Sequence, residues 1–260
     1  MDKKFTFEPN THTYKLDGER LTGVTTIIGV LDKPALVSWS ANCAVDYILE
    51  NQDPDTKGSD KVLIPKFQVE EARTAWAKKR DKAGDVGTQC HAWVELYAKS
   101  KIKNTKYAPQ YESEQVEKMV DKFIEWSEQN KVKFLLSEQT LYSEQHFYAG
   151  TVDLLIEIDG KKYIADLKTA KDIYQTNFIQ MGGYHIALEE LGKVKDLEGY
   201  IVINIPKDLD KDGNAKIKTE TVTLWAEYRN AFMHCLALYR FLNKKASSKD
   251  KAIKKAKRAK

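Results

Sequence analysis

Asp159-Gly160 lies between two runs of alternating residues, Gly150 to Ile158 and Lys161 to Thr169. Asp-Gly is among the strongest two-residue hairpin signals, because the favoured turn needs positive φ at both central positions. If those two residues form the loop, Ile158 faces Lys161 and Glu157 faces Lys162, an opposite-charge pair. Asp153 then faces Asp166. Alternation agrees, since Val152, Leu154, Ile156 and Ile158 share one face of their strand while Asp153 lies on the other. On the partner strand Asp166 and Lys168 share a face, and Ala165 and Leu167 take the opposite one. Packing the apolar set inward leaves Asp153, Asp166 and Lys168 together.

Directly opposed side chains have Cβ atoms roughly 4.5–5.5 Å apart. Two carboxylates at that separation repel unless something compensates. One is protonated, a cation sits between them, or Lys168 neutralises the pair. A hard divalent cation such as Mg2+ or Mn2+ fits aspartate oxygens. Lys168 could then orient a water or stabilise charge on a transferring phosphoryl group. An ordinary exposed sheet face with mixed charges is the other reading of the same pattern.

The rest of the chain predicts an α/β fold. FTFEP, THTYKL and RLTGVTTIIGV read as strands, with Asp17-Gly18 as a turn between the second and third. A helix follows Pro34, then the polar loop NQDPDTKGSD. A second helix starts after Pro65 and is interrupted at Gly84 and Gly87, so a separate helix is expected from Thr88 as N-cap. YESEQVEKMVDKFIEWSEQN is another helix. VKFLLSEQTLYS, FYAGTVDLLIEI and KKYIADLKT are three successive strands. NFIQMGGYHIALEELG is a helix despite its two glycines, EGYIVINIP a buried strand, AKIKTETVTL a further strand, and WAEYRNAFMHCLALYRFLN an amphipathic closing helix. From residue 88 onward the order, with one intervening helix, is α, β, β, β, α, β, a mixed sheet flanked by helices. One domain is expected over residues 1–243, with an N-terminal extension to residue 83.

Composition removes several classes. No run of about 18 apolar residues suggests a membrane span. MDKKFTFEPN has no apolar stretch after its lysines, which predicts no secretory leader. Cys43, Cys90 and Cys235 are too few and too scattered for a disulfide framework or a Cys-rich metal site, which points to a reducing cytoplasmic setting. No four-cysteine set for an iron–sulfur cluster and no G-x-x-x-x-G-K-[ST] nucleotide motif occurs. The formal charge of +4 belongs to the end of the chain: residues 244–260 hold nine Lys/Arg against one Asp, and the remainder is net acidic. Lys254, Lys255, Lys257 and Arg258 in this tail suit non-specific contact with DNA phosphates; a solubilising terminus reads equally well.

Gly150-Thr151-Val152-Asp153, Asp166-Leu167-Lys168-Thr169, and Gln180 followed by Tyr184 stand in order along the chain. Ahead of them comes Gly87-Thr88-Gln89-Cys90-His91. Together they resemble the RecB-like branch of the PD-(D/E)XK nuclease superfamily, which reads G-x-x-x-H, G-x-x-D, D-x-K and Q-x-x-x-Y. Within it the chain is most similar to small stand-alone phage-type and mitochondrial-type DNA exonucleases, over about residues 84–205. The resemblance implies a restriction-endonuclease-like core. It also implies Asp153 and Asp166 as metal ligands, Lys168 as the catalytic lysine and His91 as a further ligand. The implied reaction is Mg2+- or Mn2+-dependent phosphodiester hydrolysis on DNA, in recombination, repair or phage replication, with a single-strand annealing or recombination protein as a possible partner. Asp166 stands where such nucleases carry Glu or Asp, so it is within the pattern, with a side chain one methylene shorter than Glu.

Three further residue pairs or positions are weighed with these. His91 and Glu95 are spaced i, i+4, so one helix face can aim both at one cation; a half-buried His beside a solvated Glu is the plainer reading. Gln180 and Tyr184 share the same spacing, and the resemblance implies contact with the DNA strand, although a helix face packed on the sheet would give the same pattern. Glu138, on the strand before the hairpin, is a candidate for supporting the metal site. The rival functions are a structure- or site-specific endonuclease on the same fold and a non-catalytic nucleic-acid-binding protein.

Overall fold

The computed structural model describes residues 4–31 and 33–244. Lys254, Lys255, Lys257 and Arg258 lie outside the described residues. The chain opens with three strands, β1 (Phe5–Glu8), β2 (Thr13–Leu16) and β3 (Glu19–Gly23), paired antiparallel in sequence. Asp17 and Gly18 form the expected tight turn, both at positive φ (49° and 84°). The third strand stops earlier than expected. Val24–Ile28 is a short helix, α1, and not strand, although its residues are β-branched. Val24, Ile27 and Ile28 are all buried, and their i, i+3, i+4 spacing puts three apolar side chains into the core at once. Local β-propensity loses to that packing.

Helix α2 (Pro34–Glu50) packs on the N-terminal half of α3 (Lys66–Lys103). The surface ion pair Lys79–Asp46, at 3.2 Å, joins them. The expected break at Gly84 and Gly87 does not occur: α3 is one helix of 38 residues, about 57 Å long at 1.5 Å per residue. A helix-interior glycine costs only about 1 kcal/mol. The C-terminal half of α3 recovers that by burying Cys90, Val94, Tyr97 and Ala98.

Helix α4 (Glu114–Gln129) begins at Ser113, whose side chain caps the N–H of Val116. The central strands follow as β4 (Lys133–Ser143), β5 (Tyr148–Ile158) and β6 (Lys161–Lys168), then α5 (Gln175–Glu190), β7 (Leu197–Asn204), β8 (Lys218–Val222) and α6 (Trp225–Leu242). All eight strands join one mixed sheet, in the order β1-β2-β3-β5-β6-β7-β8 with β4 paired to β5. β3 runs parallel to β5 and β6 parallel to β7; the other pairs are antiparallel. Helices cover both faces. Residues from α1, α5 and α6 build one core with Tyr148, Val152, Ile164 and Val202. Those from α3 and α4 build the other with Leu154, Ile156, Ala165 and Leu167. Among the described residues no helix is long and apolar enough to cross a membrane.

The two glycines of α5 serve packing. A Cβ at Gly182 would lie 2.6 Å from the carbonyl oxygen of Tyr228, and one at Gly183 would lie 2.7 Å from Phe232 Cε2, so they let α5 and α6 approach closely. Beside them, His185 is 1% exposed, with Nδ1 3.0 Å from Tyr200 Oη and Nε2 3.2 Å from Glu189 Oε1. Burial, aided by Arg229, pushes its pKa down to about 3. The ring is therefore neutral, and a proton on Nε2 suits both contacts. The unfolded chain takes up a proton near pH 6.5 that the folded chain refuses. Stability from this residue is complete above about pH 6.5 and is lost as pH falls from there towards 3, by up to about 1.4 kcal/mol per pH unit. His185→Gln should flatten that part of a urea-derived stability curve, and an unchanged slope would contradict the assignment.

Candidate metal centre

The central sheet forks along β5. One edge of β5 is paired with β4 along most of its length. The other edge pairs with β3 at Tyr148 and Ala149 and with β6 only from Leu154 onward. Between those contacts the strand has an open edge, and Asp153 sits at the point where β6 leaves. The β5–β6 register is the one expected from the Asp-Gly turn, from Ile158↔Lys161 to Leu154↔Ala165. It stops one pair short of Asp153 and Asp166. The Asp153 carboxylate accepts the N–H of Leu167 at 2.9 Å, so a side chain takes up a backbone donor beyond the end of the ladder. Gly150 lies on the same open edge, where a Cβ would lie 2.6 Å from Cε1 of Tyr184.

The opposite edge is also irregular here. The β4–β5 ladder skips from Ser137↔Leu154 to Gln139↔Val152, leaving out Glu138 and Asp153. Glu138 has φ of 46°, a left-handed conformation costing on the order of 1–2 kcal/mol for a non-glycine residue. The irregularity resets side-chain alternation. Val152 belongs to the core under α5, whereas Leu154, two residues on, belongs to the core under α3. The expectation that Val152, Leu154 and Ile156 share one face is thus corrected. Ser137, Glu138, Asp153 and Leu154 all line one narrow recess under α3, together with His91 and Glu95.

Within that recess one donor atom each from His91, Glu138 and Asp153 lie within 4.8 Å of one another. His91 Nδ1 is 3.9 Å from Asp153 Oδ2. Glu95 stands beside them, with its carboxylate bonded to Lys99. Asp166 is 1% exposed and is held differently. Lys168 Nζ lies 2.5 Å from its Oδ2, and Gln180 Nε2 donates to its Oδ1 at 3.3 Å. Gln180 also donates to Tyr184 Oη at 2.8 Å. Tyr184 is 4% exposed, so its ring has no open face on which a base could stack. Gln180 thus holds Asp166 directly, and Tyr184 holds Gln180.

Electrostatics follow from burial of several like charges. Burial, then repulsion from Asp153 and Glu95, pushes Glu138 up to about 8. Burial raises Asp153 against the pull of Lys168 and the Leu167 N–H, and raises Asp166 to about 6. Burial pulls the Lys168 ammonium down, but attraction to Asp166 and Asp153 outweighs it, so Lys168 stays charged. Burial, with Lys168 nearby, pushes His91 down to about 4, leaving a neutral imidazole with a free lone pair. A neutral imidazole and two crowded carboxylates fit a divalent cation, which would relieve their repulsion.

The structure therefore brings together His91, Glu95, Glu138, Asp153, Asp166, Lys168, Gln180 and Tyr184. It gives Glu138 the same standing as His91 and Asp153, because only the backbone turn at 138 aims its side chain under α3. Sequence gave no sign of that turn. Nor did it signal Tyr14, whose hydroxyl lies 2.9 Å from both Thr151 Oγ1 and His12 Nε2 and ties the N-terminal strands to the strand bearing Asp153. No protein-family model matches the chain, and no curated protein is detectably similar to it in sequence.

Proposed function

We propose that this chain is a metal-dependent nuclease that hydrolyses DNA phosphodiester bonds from an end, on a restriction-endonuclease-like core. The observation that carries the reading is the meeting of His91, Glu138 and Asp153 with the Asp166–Lys168 ion pair at the fork of the sheet. The element order, with α3 and α4 before β4, β5 and β6 and then α5 and β7, supports the core assignment. Action from an end and on DNA rests on the resemblance of the four motifs to PD-(D/E)XK exonucleases.

His91, Glu138 and Asp153 are the residues that would hold Mg2+ or Mn2+, with Asp166 beside them. When bound, the cation makes water a stronger nucleophile at neutral pH and offsets charge on the phosphoryl oxygens. His91 contributes a neutral nitrogen, Glu138 and Asp153 the anionic oxygens. Asp153 is fixed by the Leu167 N–H and so presents its carboxylate without rotamer search. Lys168, anchored on Asp166, holds a positive charge where negative charge grows on the phosphoryl group, and its ammonium can orient the attacking water. Gln180 keeps Asp166 from rotating away.

End-labelled linear DNA and a closed circle, each incubated with manganese or magnesium, test the reading. Progressive loss of the linear substrate with the circle intact is expected. Cutting of the circle would make the chain an endonuclease, and no cleavage of either substrate with either metal would overturn hydrolysis altogether.

A further inference from the structure

Gly87 is retained in the middle of a long helix, at a cost of about 1 kcal/mol relative to alanine. A Cβ there would lie 2.7 Å from Thr169 Oγ1, 3.2 Å from Lys207 Cε and 3.4 Å from Lys207 Nζ. The Thr169 hydroxyl and the Lys207 ammonium thus pack side by side directly against the Gly87 backbone, where a Cβ would push them away. Thr169 directly follows Lys168. Lys207 is fixed to the same strand end, because the N–H of Ile205 donates to the carbonyl of Lys168 at 2.8 Å. From the other side the Gln115 side chain donates to the Lys207 carbonyl at 2.8 Å. The backbone carrying this lysine is therefore held by both the sheet and α4.

The Lys207 ammonium forms no ion pair among the described residues, unlike Lys168 with its buried aspartate. Burial draws its pKa below the usual lysine range, even against the pull of Asp208 and Cys90. Gly87 stands four residues before His91 on one face of α3, so the lysine packed against it lies on the His91 side of the metal centre. A half-buried, anchored and unpaired cation beside a hydroxyl suits a tetrahedral oxyanion.

We infer that Lys207 and Thr169, packed against Gly87, present their ammonium and hydroxyl as a phosphate-binding subsite next to the metal centre that grips one phosphate group of the DNA strand. The inference rests on the nuclease reading and adds to it the residues that hold the strand in register. Lys168 would act at the phosphate being cleaved, and Lys207 at a neighbouring internal phosphate or at a terminal one.

The test is equilibrium binding of a fluorescein-labelled single-stranded oligonucleotide, in 5′-phosphate and 5′-hydroxyl forms, across a potassium chloride series with calcium supplied in place of manganese. Lys207→Gln should weaken binding about tenfold or more, as expected for a lost charge-assisted contact. It should also shrink the slope of log affinity against log salt by about 0.7, one single-strand phosphate contact. Gly87→Ala should reproduce the affinity loss with its lysine intact. A penalty confined to the 5′-phosphate oligonucleotide identifies a terminal phosphate, and an equal penalty with both forms identifies an internal one. Thr169→Val, a change of one hydroxyl to a methyl, gives a smaller loss and serves if Lys207→Gln proves unstable in a circular-dichroism melt. Wild-type protein that binds while Lys207→Gln and Thr169→Val bind with the same affinity and salt slope overturns the subsite alone. Wild-type protein that binds neither oligonucleotide overturns the subsite, while the nuclease reading falls separately if the linear and circular DNA are both left uncut.

Discussion

Glu138→Gln and Asp153→Asn should each lower manganese-dependent DNA cleavage on the order of 10³-fold or more, and each should abolish the rise in unfolding temperature that manganese gives the wild-type protein. Glu138 and Asp153 are forced together by an irregular stretch of β4 and β5, where Glu138 adopts a left-handed backbone. Burial and the neighbouring carboxylates raise the Glu138 pKa to about 8. A carboxyl raised in the folded state costs stability as pH rises from about 4.5 to 8, because the folded chain holds a proton that the unfolded chain has released. Without metal the folded protein therefore escapes the repulsion at neutral pH by keeping Glu138 protonated, at a cost in stability, and a bound cation would take the place of that proton. Replacing either acid by its amide relieves the repulsion but deletes a ligand. Both variants should consequently be at least as stable as wild type without metal, yet gain nothing from manganese. A thermal melt with and without manganese reads both effects. A Glu138→Gln variant stabilised by manganese as strongly as wild type would return Glu138 to a supporting place.

Lys168→Met should destabilise the protein by about 3 kcal/mol at neutral pH, in addition to removing cleavage. Asp166 is 1% exposed, and its Oδ2 faces the Lys168 ammonium at 2.5 Å. Removing the lysine leaves a buried carboxylate with one hydrogen bond, from Gln180. Lys168 is 23% exposed on its side chain, so the lower part of the range for broken buried pairs applies. The double variant Asp166→Asn/Lys168→Met should recover most of that loss, since no uncompensated charge is left and an amide oxygen still accepts from Gln180. A coupling energy of about 2 kcal/mol in the double-mutant cycle is expected. Additive losses, measured by urea unfolding, would mean that Lys168 and Asp166 do not act as a pair. Cleavage should stay absent in the double variant, which separates the structural part of the pair from its chemical part.

Much of this was legible in sequence where one local rule acts alone. The Asp-Gly turn set the β5–β6 register to the residue, because a two-residue loop leaves no freedom in pairing. The approach of Asp153, Asp166 and Lys168 to one another was readable for the same reason, and the place of His91 beside Asp153 accords with motif order. The failures lie where tertiary contacts override local preference. Val24–Ile28 turns helical to bury three side chains, and α3 runs through Gly84 and Gly87 because its ends are held by packing on both sides of those residues. Strict alternation misplaced Val152 relative to Leu154, since the strand flips at Asp153. Glu138 was under-read because no residue pattern announces a left-handed backbone inside a strand. Gln180 and Tyr184 share one helix face as their spacing implies, and both are buried beside Asp166.

The proposed hydrolysis would depend on the metal centre at the fork of the sheet. The most direct measurement is the initial rate of cleavage of end-labelled linear DNA against manganese concentration, for wild type and for Asp153→Asn. The wild-type rate should rise with manganese to a plateau, fall to background with a chelator, and stay at background at every concentration for Asp153→Asn. Cleavage that persists in Asp153→Asn, or in wild type with the chelator present, would contradict the account.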